Sequence, residues 1–224
     1  MATIDSPTQQ GVSTEVEATW GAMRTVQRPL DYIQRGTGGQ TRVLGHYKAQ
    51  LGPAINSFTT SGINVLSMRN IDASALIVLY RVSVMITVVT AVTAQSVTPG
   101  TLSKILGFTA DFSVNATTQA PIGYGVRSTM PASQCSRFQT ASAAAGMSGG
   151  TTGGTQQMGL FPLTGLGALG TGVGPYDTYK YDKQGEHPII LGPNEGAVLN
   201  WGTAVSTGTL NFNSVWEWAE VATF

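Results

Sequence analysis

Residues 210–221 read Leu-Asn-Phe-Asn-Ser-Val-Trp-Glu-Trp-Ala-Glu-Val, and their alternation decides the fold. Leu210, Phe212, Ser214, Trp216 and Trp218 share one parity, while Asn211, Asn213, Val215 and Glu217 share the other. Successive side chains of a strand point to opposite faces, so the first set predicts a strand with one buried face. Working outward, Ile189 to Leu191 form a short apolar run. Pro193-Asn194-Glu195-Gly196 reads as a turn, with Asn194 tolerant of turn geometry and Gly196 placed where a type I turn prefers glycine. Ala197 to Trp201 resume a strand. The C-terminal region from Gln184 to Phe224 is therefore expected to hold two or three antiparallel strands.

Upstream, Ala75 to Ala94 is the longest apolar region. It contains Arg81 and is rich in valine and threonine. Val82, Val84, Ile86 and Val88 fall on one parity and Ser83, Met85, Thr87 and Val89 on the other. This is the signature of one long strand or a strand pair, not of a membrane helix. Short runs from His46 onward (Tyr47 to Leu51, Phe58 to Gly62, Ile63 to Met68) are separated by turn residues. Leu102 to Phe112 reads as a strand or a short helix, and Gly123 and Gly125 suggest a loop or bulge. No amphipathic helix of three turns is visible. The expected class is all-β: a jelly-roll-like antiparallel β-sandwich over residues 45–224.

Two stretches depart from this pattern. Residues 1–44 are polar, with scattered apolar anchors at Ile4, Trp20, Leu30, Tyr32 and Ile33, and read as an extended N-terminal arm, either a loose tail or a segment that orders by lying on another surface. Residues 140–175 hold Ala143-Ala144-Ala145, two Gly-Gly pairs and glycines at 159, 165, 167, 170, 172 and 174. They read as a long glycine-rich loop whose apolar residues, Leu160 and Phe161 among them, dock on something such as a neighbouring subunit. Trp20, Tyr32, Ile33, Leu160 and Phe161 are the candidate partner-binding residues.

Composition narrows function. Of 224 residues, 11% are charged, and 12 basic side chains balance 12 acidic ones. So low a charge suits a surface that neighbours cover. It offers no basic stripe for nucleic acid, Arg24, Arg28 and Arg35 being diluted by Glu15, Glu17 and Asp31. Cys135 stands alone, which excludes an intrachain disulfide.

Chemistry-bearing sets are sparse. His46 and His187 are the only histidines and lack ligand spacing, and Glu186 and His187 are adjacent on an extended chain, facing opposite ways. Asp177, Asp182 and Glu186 could meet at a calcium ion only through a loop. There is no phosphate-binding Gly-Lys-Ser/Thr ending and no Gly-x-Ser-x-Gly elbow. Trp201, Trp216 and Trp218 are assigned to the core rather than to a sugar platform. Asn115-Ala116-Thr117 matches the glycosylation pattern with no secretion signal beside it. No catalytic, metal or cofactor residues are assigned.

The segment Glu186-His187-Pro188-Ile189-Ile190-Leu191-Gly192-Pro193-Asn194-Glu195-Gly196-Ala197-Val198-Leu199-Asn200-Trp201, with Val215 to Val221 and the strand region Leu76 to Val92, resembles a group of tailed-phage virion proteins. Over residues 45–224 the chain looks like a capsid decoration (cement) protein. The resemblance implies a jelly-roll-like sandwich, a homo-oligomer with a trimer favoured, the major capsid protein as partner, and a place on the outer capsid surface. Two other classes stay open: a single jelly-roll major capsid protein, and a receptor- or glycan-binding fibre tip using Trp201 with Tyr176, Tyr179 and Tyr181.

Overall fold

The computed structural model describes residues 2–5, 13–16, 23–26, 45–57, 62–94, 100–120, 122–125, 132–143, 146–161, 172–181, 188–202 and 204–221. Fifteen strands and no helix occur among them. Near the N-terminus are β1 (Ala2–Asp5), β2 (Ser13–Val16) and β3 (Met23–Val26). Then come β4 (His46–Asn56), β5 (Ile63–Asn70), β6 (Leu76–Ala94), β7 (Gly100–Ile105), β8 (Ala116–Gln119), β9 (Ile122–Gly125) and β10 (Ser136–Ala141). The chain ends with β11 (Thr155–Phe161), β12 (Gly172–Lys180), β13 (Ile189–Leu191), β14 (Gly196–Trp201) and β15 (Val205–Val221).

The alternation that opened the sequence reading is carried out literally by β15. Leu210, Phe212, Ser214, Trp216 and Trp218 are all at most 2% exposed. Ser214 belongs to that set for a reason: its Oγ accepts the Trp216 indole N–H at 2.7 Å. Glu220, 3% exposed, does the same for Trp218 at 3.3 Å and also takes the Ser133 hydroxyl. A tryptophan buries its apolar body well only when its N–H finds an acceptor, and β15 supplies both acceptors from its own buried face.

Two antiparallel sheets pack face to face as a β-sandwich. The first runs β11-β7-β14-β5-β10-β8; the second runs β12-β6-β15-β4-β9, with β13 also paired to β6. One core joins them: Leu66, Met68, Leu102, Phe138 and Leu199 from the first sheet meet Leu51, Leu79, Val84, Phe212, Trp216 and Trp218 from the second. Aromatic contacts tie the layers. Phe138 lies 6.0 Å from Trp216 and 5.5 Å from Trp218, and Trp201 meets Phe212 edge-on at 5.2 Å.

Several expectations are corrected. The strands flanking the Pro193–Gly196 turn do not pair with each other. β13 adds to β6 in the second sheet, while β14 sits between β5 and β7 in the first. The turn is a corner between layers. Asn194 does take the left-handed conformation, with φ 57°. Gly196 is required for packing: a Cβ there would sit 2.5 Å from Phe108 Cδ1 and 2.6 Å from the Met68 carbonyl oxygen. Glu195 Oε2 caps the corner, accepting from the Gly192 N–H at 2.7 Å and pairing with Lys104 Nζ at 2.7 Å. Lys104 also donates to the Ile190 carbonyl, so one side chain spans both sheets.

The stretch read as a long loop, 140–175, contains all of β11 and the start of β12. Glycine lowers strand propensity, but the ladders offered by β7 and β6 outweigh it. Gly123 and Gly125, read as a loop or bulge, lie in β9 in register against β4. Of the two readings for Leu102 to Phe112, the strand is the one found, as β7, which ends at Ile105. In the N-terminal segment, read as one extended arm, β1, β2 and β3 pair antiparallel into a small sheet, which needs backbone groups rather than an apolar pattern. The strand expected at Phe58 to Gly62 falls largely outside the described residues.

Candidate contact surfaces

Of the residues expected to bind a partner, Trp20, Tyr32 and Ile33 lie outside the described residues. Leu160 is on β11 and 53% exposed; Phe161 closes the same strand, its side chain lying outside the described part. The three tryptophans kept for the core are there. Trp201 is 1% exposed against Phe212, apart from the tyrosines once grouped with it. Tyr176 is exposed at 43%, Tyr179 accepts the Ile189 N–H, and Tyr181 leans on Tyr80. Cys135 is buried. His46 packs edge-on against Tyr80 at 4.9 Å. Asp177 is engaged by Arg81, while Asp182, Glu186 and His187 lie outside the described residues. Among the described residues no group of three His, Cys, Asp or Glu side chains is placed to hold a metal ion, and no helix is long and apolar enough to cross a membrane.

The outer faces of the two sheets differ sharply. On the first sheet, residues 106–115 and 146–154 form a lid. Beneath it lies a second small core of Ile105, Phe108, Phe112, Ala141, Met147 and Val198. The lid is stitched by backbone bonds: Val114 and Ser148 exchange them at 3.0 Å, Met147 N–H donates to Asn64, and Thr109 N–H to Thr151. Gly153 N–H donates to the Leu106 carbonyl, and a Cβ at Gly153 would collide with that same oxygen. Gln139 (3% exposed) completes it. Its carboxamide accepts the Phe112 N–H and donates to the Phe112 carbonyl, both at 2.9 Å, in place of a missing strand. At the rim, Asp111 receives Arg69 at 2.8 Å and Arg137 at 2.7 Å, and Arg69 covers the Phe108 ring. The 146–154 part of the glycine-rich stretch therefore docks on its own sheet.

No comparable lid covers the centre of the second sheet among the described residues. On its outward face stand Lys48 on β4, Glu217 on β15, Arg81 on β6 and Asp177 on β12. Lys48 Nζ is 3.0 Å from Glu217, Arg81 Nη1 is 3.7 Å from Glu217, and Arg81 Nε is 2.7 Å from Asp177. The hydrogen bond that Arg81 donates to Asp177 raises the Arg81 pKa. Further along β6, Met85 and Val89 are 38% and 39% exposed. At the other end Tyr80 occupies a bulge opposite the step from Glu217 to Trp218. Burial, then neighbouring Tyr181 and Tyr179, push its hydroxyl up to about 12.

Sequence reasoning missed this ladder, because its four members come from four distant strands. The available signal was that Glu217 and Arg81 both fall on the outward parity of their strands. Compared with protein-family models, curated proteins and solved structures, the chain gives no match.

Proposed function

We propose that this chain is a structural virion protein: a capsid decoration (cement) protein, homo-oligomeric with a trimer favoured, that binds the outer shell and bridges neighbouring major capsid subunits. The observation that carries the reading is the strand order. Within the two sheets, β4-β15-β6-β12 faces β5-β14-β7-β11. An antiparallel eight-strand ribbon rolled up as a jelly roll gives this order, which suits viral shell proteins among other classes. The remaining strands of these two sheets extend or side-pair with that frame, while β1, β2 and β3 form a sheet of their own. Low overall charge, and an outer sheet face whose centre no lid of described residues covers, support work by contact. Repetition around a shell lets modest contacts add.

The test uses purified full-length protein and purified shells stripped of it. Added protein should bind at saturating stoichiometry and raise the temperature at which shells open. A chain lacking residues 1–44 should bind less, because the N-terminal segment is assigned to attachment. Unchanged occupancy would remove that segment from the mechanism. No binding to any shell would sink the reading, and closed shells formed by this protein alone would make it a major capsid protein instead.

A further inference from the structure

Strand register sets two like charges side by side beneath the lid. Arg69 on β5 and Arg137 on β10 are direct partners in the antiparallel ladder. Cations so placed repel unless an anion lies between them. Asp111, from the lid, is that anion. Its Oδ1 accepts from Arg69 Nε at 2.9 Å and lies 2.8 Å from Arg69 Nη2, while its Oδ2 lies 2.7 Å from Arg137 Nε. Arg69 Nη1 donates to the Thr109 carbonyl at 3.0 Å, and its guanidinium covers the Phe108 ring. One strand further across the sheet, Gly196 pairs with Arg69 and leaves room for Phe108, where a Cβ would collide. The row Arg137, Arg69, Gly196 therefore seats Asp111 and Phe108 side by side. Asp111 is the only charged residue in segments 106–115 and 146–154.

We propose that the lid is a latched unit. Its two segments open together from a sandwich that stays folded, and Asp111 between Arg69 and Arg137 is the latch that holds them shut.

The segments are tied to each other along their length. Val114 and Ser148 exchange backbone bonds, Thr109 N–H donates to Thr151, and Leu106 bonds both Gly153 and Gly154. Both are connections, one between β7 and β8 and the other between β10 and β11, so lifting them breaks no strand ladder of the two sheets. The apolar groups they cover form a cluster separate from the main core, on the other face of the first sheet. Opening uncovers Phe108, Phe112 and Met147 and leaves the main core dry. Few groups fasten lid to frame besides the latch. Phe108 N–H donates to the Asn194 carbonyl, Met147 N–H to the Asn64 carbonyl, and Phe112 N–H to the Gln139 carboxamide. Partial opening of this kind belongs to regions with a small, separate core. The Asp111 and Arg137 side chains are 24% and 42% exposed, so dissolved ions reach the latch and screen it. The device stands whether or not the chain decorates a shell.

Hydrogen exchange of the full chain, followed residue by residue by NMR, tests this. The amides of Phe108, Met147 and Phe112 should exchange together, with a weaker dependence on denaturant than those of Phe212 and Trp216 in the main core. Asp111→Asn, close in shape to the native side chain, should speed those three amides on the order of tenfold, because charge-assisted bonds are lost and the arginines face each other bare. Raising sodium chloride should speed them in wild type and have much less effect in Asp111→Asn. Arg137→Gln should speed them in wild type but not further in the Asp111→Asn background, where it removes only repulsion. Four results would each overturn the proposal: lid amides that exchange only with the main core, Asp111→Asn exchanging like wild type, a salt effect equal in both proteins, or effects of the two substitutions that simply add. Thermal unfolding of each variant confirms that the sandwich is folded while exchange is measured.

Discussion

Gln139 shows how much one side chain can carry. Both hydrogen bonds of its carboxamide go to the backbone of Phe112, under a lid that keeps water out. Gln139→Ala leaves a buried N–H and a buried carbonyl without partners, each costing about 1–3 kcal/mol. Chemical denaturation should show a loss of about 2–6 kcal/mol on that basis. Gln139→Glu should lose at least as much at neutral pH, because it buries a carboxylate against the Phe112 carbonyl oxygen.

Tyr80 gives a pH prediction at the same scale. Its hydroxyl is raised from 10.0 to about 12 in the fold. The protonated phenol is favoured when folded, so this stability is complete below about pH 10, the unfolded value. It falls as pH rises through 12. Ultraviolet titration should find a late-ionising tyrosine, and Tyr80→Phe should flatten the alkaline part of the stability profile.

At the scale of elements, β15 is the strand both halves of the second sheet depend on, pairing β4 on one side and β6 on the other. Trp216 is its central core residue, and Trp216→Ala should cost about 3–5 kcal/mol, as truncations of large buried aromatics do. The lid is the other decisive element. Gly153→Val would drive a side chain into the Leu106 carbonyl and lift residues 146–154 from the sheet. Phe108 and Phe112 would then be exposed, and the measurable outcome is increased binding of a hydrophobic dye with the sandwich core still folded.

The alternation of β15 and of β6 was legible because a strand's two faces are written in its own residues. The lid was legible only as composition. Glycines predict close backbone approach, but Gly153 does not say which carbonyl it will approach. The corner at Pro193–Gly196 was legible as a turn yet not as a change of sheet, since a local turn signal carries no information about which strands its arms will join.

For the whole molecule, low charge governs behaviour in solution. With a sequence pI of about 6.7 and 11% charged residues, little repulsion separates copies near neutrality. Turbidity measured against pH should pass through a maximum near the pI and clear on either side. The same scarcity of charge makes the four-residue ladder conspicuous. Elsewhere on the described surface, charges gather at the rim of the lid and at the sheet corner, where they fasten the chain to itself.

The sequence by itself determined the all-β class, the buried face of β15 and the burial of Trp201, Trp216 and Trp218. Those follow from period-two patterning, which is local and survives any arrangement of neighbours. Tertiary structure alone decided that β13 and β14 part into different sheets and that residues 146–154 of the glycine-rich stretch seal their own sheet. It alone aligned Lys48, Glu217, Arg81 and Asp177. Strand pairing joins residues far apart in the chain, and its register depends on the fit of whole sheets, which no single stretch encodes.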